Sequence, residues 1–217
     1  ISACLVGSEM CIRDRLKTRA PENALVPWTE QLIQYGAQLT AERVKLVDDL
    51  NPYVAANYKN LNEVKPASIS YKSSTENLSA DIQQNTDVLT ARQQEVARQE
   101  IERGVSLIGP HRDDLQLQLG DFPAKGYASH GESWSMAISL RIGSYNLLKA
   151  EGAEPVLILD DIFAELDTAR RQQLTSVTQM AEQTFITAAV ESDLPAELLS
   201  KKFYVTPGVV SSERGQL

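Results

Sequence analysis

The sequence predicts an α/β protein in which a mostly helical region precedes a region of alternating helices and strands. Three observations carry that prediction. From Leu25 to Leu50 apolar residues recur at steps of three, four and seven, which marks one stripe of a long amphipathic helix. Val156-Leu157-Ile158-Leu159 is an apolar run without alternation, as expected of a parallel strand buried on both faces. From residue 130 onward the order helix–strand–helix–strand implies a sheet with helical crossovers.

The bulk numbers bound the rest. A chain of 217 residues with 42% hydrophobic and 23% charged residues has an ordinary globular composition, so wholesale disorder, collagen and a disulfide-knotted miniprotein are excluded. No stretch approaches the roughly 18 apolar residues of a membrane span. A formal net charge of -8 argues against a general polyanion-binding surface, though a local basic groove is compatible with it. The 2 cysteines, Cys4 and Cys11, both lie near the start, which suits a reducing cytosol and offers no metal or disulfide framework. The opening segment lacks the basic start and long apolar core of a secretory signal. Its cysteine use differs from everything after it. Residues 1–15 are therefore expected to be a non-native, adapter-derived or disordered stretch, with a genuine flexible terminus as the alternative.

In chain order, the stripe over 25–50 predicts the first long helix. Asn51-Pro52 reads as an N-cap with proline at N1, starting a second helix to about Glu63 that Pro66 stops. Ile69 and Tyr71 alternate with polar residues as a short half-buried strand. Residues 79–103 are polar and helical, with Glu100 and Arg103 spaced for a surface pair and Gly104 as C-cap. Val105–Ile108 predicts a strand, Gly109–Asp114 a turn, and Leu115, Leu117 and Leu119 alternate with glutamine as a further strand. A helix follows Ser129-His130-Gly131-Glu132-Ser133 to about Ala150, ended by Gly152. After the apolar strand, Asp167 caps a helix to about Ala181. Thr184–Thr187 and Phe203–Thr206 predict the last strands.

The chemistry-bearing residues cluster in this second region. Ligands of open α/β sheets gather at the carboxyl ends of strands, and the apolar run ends in Asp160-Asp161. A carboxylate there can hold Mg²⁺ beside a nucleotide's phosphates, and its neighbour can orient an attacking water. A buried strand that simply ends in an acidic turn is the competing reading. Upstream, Ser129 and the amides near Gly131 open a helix, where a phosphate can be received. Alternatively Ser129 is a plain N-cap with Glu132 as its capping-box partner. His111 and Arg112 either contact phosphate or brace a tight turn, and both readings stay open.

In their order and spacing, Ser129-x-Gly131-Glu132, the strand into Asp160-Asp161, and Glu165-Leu166-Asp167 resemble the signature motif, Walker B strand and D-loop of ABC-type ATPases. With Gly109-Pro110-His111-Arg112-Asp113-Asp114 and Asp160-Asp161-x-x-x-Glu165-Leu166-Asp167-x-x-Arg170-Arg171 added, residues 16–210 resemble the RecF family of bacterial recombination-mediator ATPases, its actinobacterial members in particular. The resemblance implies the C-terminal half of an ABC-type head with a helical second lobe. Residues 16–104 would form that lobe and 105–217 the half core. It implies ATP and Mg²⁺ as cofactors, an ATP-dependent homodimer, DNA at duplex–single-strand junctions, and RecR and RecO as partners in loading RecA during replication, repair and the SOS response. Asp160 would be the metal ligand and Asp161 the general base. Ser129, Gly131 and Glu132 would cap the partner subunit's γ-phosphate, and Asp167 would lie on the D-loop across the interface.

The chain also departs from the pattern. No Gly-x-x-x-x-Gly-Lys-Ser/Thr occurs in it, so it is expected to be the C-terminal part of a longer protein and inactive alone. An aspartate stands at 161 where most ABC enzymes carry glutamate, Ala188 and Ala189 follow Thr187 where a switch histidine would stand, and His130 replaces the usual glycine. Two other readings stay open: a different ABC-type head (SMC-like or a transporter subunit), or a non-catalytic fragment. The Gly-Pro-His-Arg turn and the missing histidine speak against a transporter. Helices of about 25 residues without sustained heptads speak against an SMC arm. A cytoplasmic location is expected.

Overall fold

The computed structural model describes residues 2–18, 21–61, 64–198 and 201–212. They form two compact units, Ile1–Lys59 with Glu63–Leu147 and Asn60–Asn62 with Leu148–Leu217.

In the first unit, α1 (Ser2–Lys17) packs Leu5, Ile12 and Leu16 against Leu32 of α2 (Val26–Asn60). The opening segment, expected to be non-native or disordered, is helical over Ser2–Lys17, with Leu5, Ile12 and Leu16 buried and Val6 and Met10 exposed. The expected break at Asn51-Pro52 does not occur, and α2 runs through Pro52. A proline inside a helix loses a hydrogen bond and costs about 3 kcal/mol. Residues on both sides of it, Val47, Leu50, Val54 and Tyr58, lie in one buried cluster with Ala67, Ile69, Leu119 and Met136, which offsets that cost. Asn51 does not cap: its Oδ1 accepts the Ile69 amide at 2.8 Å and ties the helix to β1 (Ala67–Lys72).

β1 pairs antiparallel with β2 (Asp114–Leu119), with Ile69 opposite Leu117 and Tyr71 opposite Leu115. β2 turns through Gly120, at φ 58°, into the two-residue β3 (Phe122–Pro123). α3 (Ile82–Arg103) is capped by Asp81, which accepts the Gln84 amide, and ends at left-handed Gly104, the C-cap its sequence predicts. It buries Leu89 and Val96 with Ile33, Ala37 and Ile108.

Two expectations fail at the end of α3. Glu100 is not a surface partner of Arg103 but is buried, accepting from Gln93, Ser106 and the Leu107 amide. Val105–Ile108 is consequently no strand, since its Leu107 N–H is spent on that carboxylate and its Ser106 carbonyl on Arg112. After a bent turn, α4 (Ala124–Tyr127), comes α5 (His130–Ala150). Gly143 of α5 meets α2 so closely that a Cβ there would lie 3.2 Å from Val54 Cγ2 and 3.4 Å from its backbone nitrogen.

In the second unit, β4 (Leu157–Asp160) and β5 (Thr184–Thr187) are parallel and joined through α6 (Thr168–Met180). β4 is not buried on both faces. Leu159 is buried, whereas Ile158 is 68% exposed and its register partner Phe185 is 53% exposed. Among the described residues only β5 pairs with β4, and the face that carries Ile158 and Phe185 is largely exposed. A hairpin of β6 (Tyr204–Thr206) and β7 (Val209–Ser211) completes the unit, its second strand unforeseen in the sequence. No helix among the described residues is long and apolar enough to cross a membrane.

Candidate functional site

The start of α5 closes on itself. Ser129 Oγ accepts the Glu132 amide at 3.2 Å, and Glu132 Oε2 accepts the Ser129 amide at 2.8 Å, a reciprocal capping box. Lys65 Nζ lies 2.7 Å from Glu132 Oε1. The Lys65 hydrogen bond, followed by those from Ser129, holds the Glu132 carboxyl down to about 2. Trp134 Nε1–H donates to His130 Nε2 at 3.0 Å, so His130 acts as an acceptor at that nitrogen and packs edge-on to the indole. Gly131 lies in the same first turn. Ser129, Gly131 and Glu132 are therefore together, at a helix N-terminus where the backbone dipole favours an anion.

Asp160 and Asp161 sit at the carboxyl end of β4, both exposed. Asp161 adopts a left-handed conformation, φ 52° and ψ 23°, rare for a residue with a side chain and found where local bonds over-determine the turn. Here β5 supplies those bonds. The Asp161 amide donates to the Thr187 carbonyl at 3.2 Å and to Thr187 Oγ1 at 3.0 Å, and the Thr187 hydroxyl donates to Asp160 Oδ1. The Ala189 amide lies 3.4 Å from Asp161 Oδ1. Asp167 accepts the Arg170 amide at 2.9 Å as the N-cap of α6 and pairs with the Arg170 guanidinium. Asp160, Asp161 and Asp167 belong to the second unit; Ser129, Gly131 and Glu132 belong to the first.

The Gly109–Asp114 turn is a brace. The Pro110 carbonyl accepts from Arg43 at 2.7 Å, and Pro110 packs on Gly36, where a Cβ would meet it at 3.2 Å. Arg112 donates to the Ser106 carbonyl. Asp113 accepts from Tyr71 Oη at 2.6 Å, from the Ser73 hydroxyl, and from both the amide and hydroxyl of Ser74. Burial, then this bond to Asp113, raises the Tyr71 phenol above its usual range, and burial lowers His111. Of the two readings of Arg112, these contacts favour the brace.

Sequence reasoning missed Lys65 and Thr187. Nothing marked Lys65. Thr187 carried a usable signal: two parallel four-residue strands placed in register put the last residue of one beside the last residue of the other.

No family model matches the chain. Among curated proteins it is 48% identical over 207 residues to the DNA replication and repair protein RecF of Rhodococcus erythropolis, covering 89% of this chain and 50% of that protein. It is 47% identical to the proteins of the same name from Beutenbergia cavernae and Streptomyces avermitilis, covering 84% of this chain in each case and 52% and 49% of theirs. Two solved structures of the recombination mediator RecF, with ATP and with an ATP analogue, superpose with TM-scores of 0.80 and 0.79 at 20% and 22% identity, covering 95% and 96% of this chain and 56% of theirs.

The chain thus shares the α/β fold of those two structures, and α/β is the class its sequence predicts. The chain belongs to the RecF family and spans about half the length of the curated relatives it matches.

Proposed function

We propose that this chain is a segment of a RecF-like, ATP-dependent DNA-binding protein of replication, recombinational repair and the SOS response. In this reading the complete protein dimerises on ATP, binds duplex–single-strand junctions, and acts with RecR and RecO to load RecA in the cytoplasm. The observation that carries the reading is the identity of 47–48% to proteins named DNA replication and repair protein RecF across more than four-fifths of the chain.

The site geometry supports roles for individual residues. A hard cation such as Mg²⁺ keeps several waters and takes one or two carboxylates together with phosphate oxygens, and the exposed Asp160-Asp161 strand end has that donor chemistry. When bound, Mg²⁺ neutralises charge on the transferring phosphoryl group. Asp160 would hold it and Asp161 would orient the attacking water. Asp161 is one methylene shorter than glutamate, which suits slow turnover. Ser129, Gly131 and Glu132 would present the α5 N-terminus to the terminal phosphate bound by the other subunit. Asp167 would lie at the interface while capping α6.

The test is a chimera that joins this segment to the half of the Rhodococcus erythropolis relative that it does not match, where the proposed reading puts the phosphate loop. With Mg-ATP it should dimerise and retain junction DNA, and Asp160→Asn should weaken both. A chimera that binds Mg-ATP but neither dimerises nor retains DNA would refute the reading. Calorimetric titration of the present chain alone should show no saturable micromolar Mg-ATP binding.

A further inference from the structure

We propose that Thr187 is a positioning residue for the acidic pair, setting the Asp160 carboxylate and the Asp161 turn through one hydroxyl. The inference rests on the reading of Asp160 as the magnesium ligand.

A threonine hydroxyl has one proton to give and two lone pairs to accept with. Here the proton goes to Asp160 Oδ1 and a lone pair takes the Asp161 amide at 3.0 Å. The hydroxyl is therefore held from both sides and cannot serve one aspartate without orienting the other. Parallel register makes this possible, since Asp160 and Thr187 are direct partners at the ends of β4 and β5. The backbone contributes as well: the Thr187 carbonyl accepts the same Asp161 amide at 3.2 Å, and the Ala189 amide reaches Asp161 Oδ1. The terminus of β5 thus fixes one oxygen of each acid. A carboxylate with one oxygen fixed by a hydrogen bond presents the other in a defined direction, and partners of this kind set metal affinity without touching the metal. The left-handed turn at Asp161 depends on these bonds for its definition.

Two measurements test this. On the present chain, hydrogen exchange at the Asp161 amide should be about fivefold faster in Thr187→Val and unchanged in Thr187→Ser. Amides of the buried α3 face near Leu89 should exchange as in the parent in both variants. In the chimera, Thr187→Val should raise the Mg²⁺ concentration for half-maximal ATP hydrolysis about tenfold, with Thr187→Ser within about twofold of the parent. Parental exchange in Thr187→Val would overturn the proposal. So would faster exchange with an unchanged Mg²⁺ requirement, which would leave Thr187 a strand clamp only. Asp160→Asn in the same chimera separates the two levels. Parental hydrolysis in that variant means that the reading of Asp160 has failed, and the proposal falls with it. Collapsed hydrolysis with a parental Mg²⁺ requirement in Thr187→Val means that only the proposal has failed.

Discussion

The start of α5 and the end of β4 are built in opposite ways. At α5 the cap closes within four residues, where Ser129 and Glu132 exchange two hydrogen bonds, and the carboxylate also takes a distant partner in Lys65. At β4 the partners described for the acids come from the neighbouring strand. Asp160 and Asp161 are held from Thr187 and Ala189, more than 25 residues away in the chain, and beside them Ile158 and Phe185 stand in water. An element that closes locally keeps its shape whatever surrounds it. One that leans on long-range register and exposes apolar side chains gains stability from further surface laid against it, at roughly 25 cal/mol per Å² of apolar area covered. The contrast is one of range: the α5 cap closes on itself, and the acids are set by a neighbouring strand.

The largest effect should therefore fall on the acids. In the chimera, Asp161→Asn should lower ATP hydrolysis about 100-fold or more while ATP-dependent dimerisation persists, because the proposed general base is lost while the side chain keeps its shape. Single-turnover hydrolysis with sedimentation reads both; equal hydrolysis by parent and variant would remove Asp161 from the reaction.

A smaller effect, on stability alone, belongs to the brace. Asp113→Ala leaves the partly buried Tyr71 and Ser73 and the exposed Ser74 without their acceptor, and should cost about 2 kcal/mol of folding free energy in a urea titration. An unchanged midpoint would break the assignment of the Gly-Pro-His-Arg-Asp-Asp turn as a strut.

The smallest effect is a titration. Glu132 is depressed in the folded state from 4.5 to about 2, so its contribution is present in full above 4.5 and is lost as the pH falls toward 2. Lys65→Met removes the leading cause, and the Glu132 carboxyl should then titrate closer to 4.5 by NMR. An unchanged titration would show that the capping box holds the carboxylate unaided.

What the sequence disclosed follows the same division. The capping box of α5, the Asp167 and Gly104 caps and the Ile69–Tyr71 strand are local patterns, and each stands where the spacing places it. Errors arose where a distant partner decided the outcome. Pro52 reads as a helix start because nothing local shows that Val47 and Tyr58 share one core. Val105–Ile108 reads as a strand because the buried Glu100 that takes its amide looks like a surface residue. Val156–Leu159 reads as buried on both faces because an apolar run does not reveal how many strands flank it. Thr187 is a plain strand residue until parallel register sets it beside Asp160.

The central claim is that this segment supplies one half of a nucleotide site shared between two subunits, and complementation tests it most directly. Ser129→Arg places a bulky cation at the α5 N-terminus, and a second chimera carries a defective phosphate loop. Sedimentation with Mg-ATP should find each variant monomeric by itself and a dimer in the mixture, since one composite site is then intact. A Ser129→Arg variant that dimerises alone as the parent does would make Ser129 only a helix cap and contradict the account.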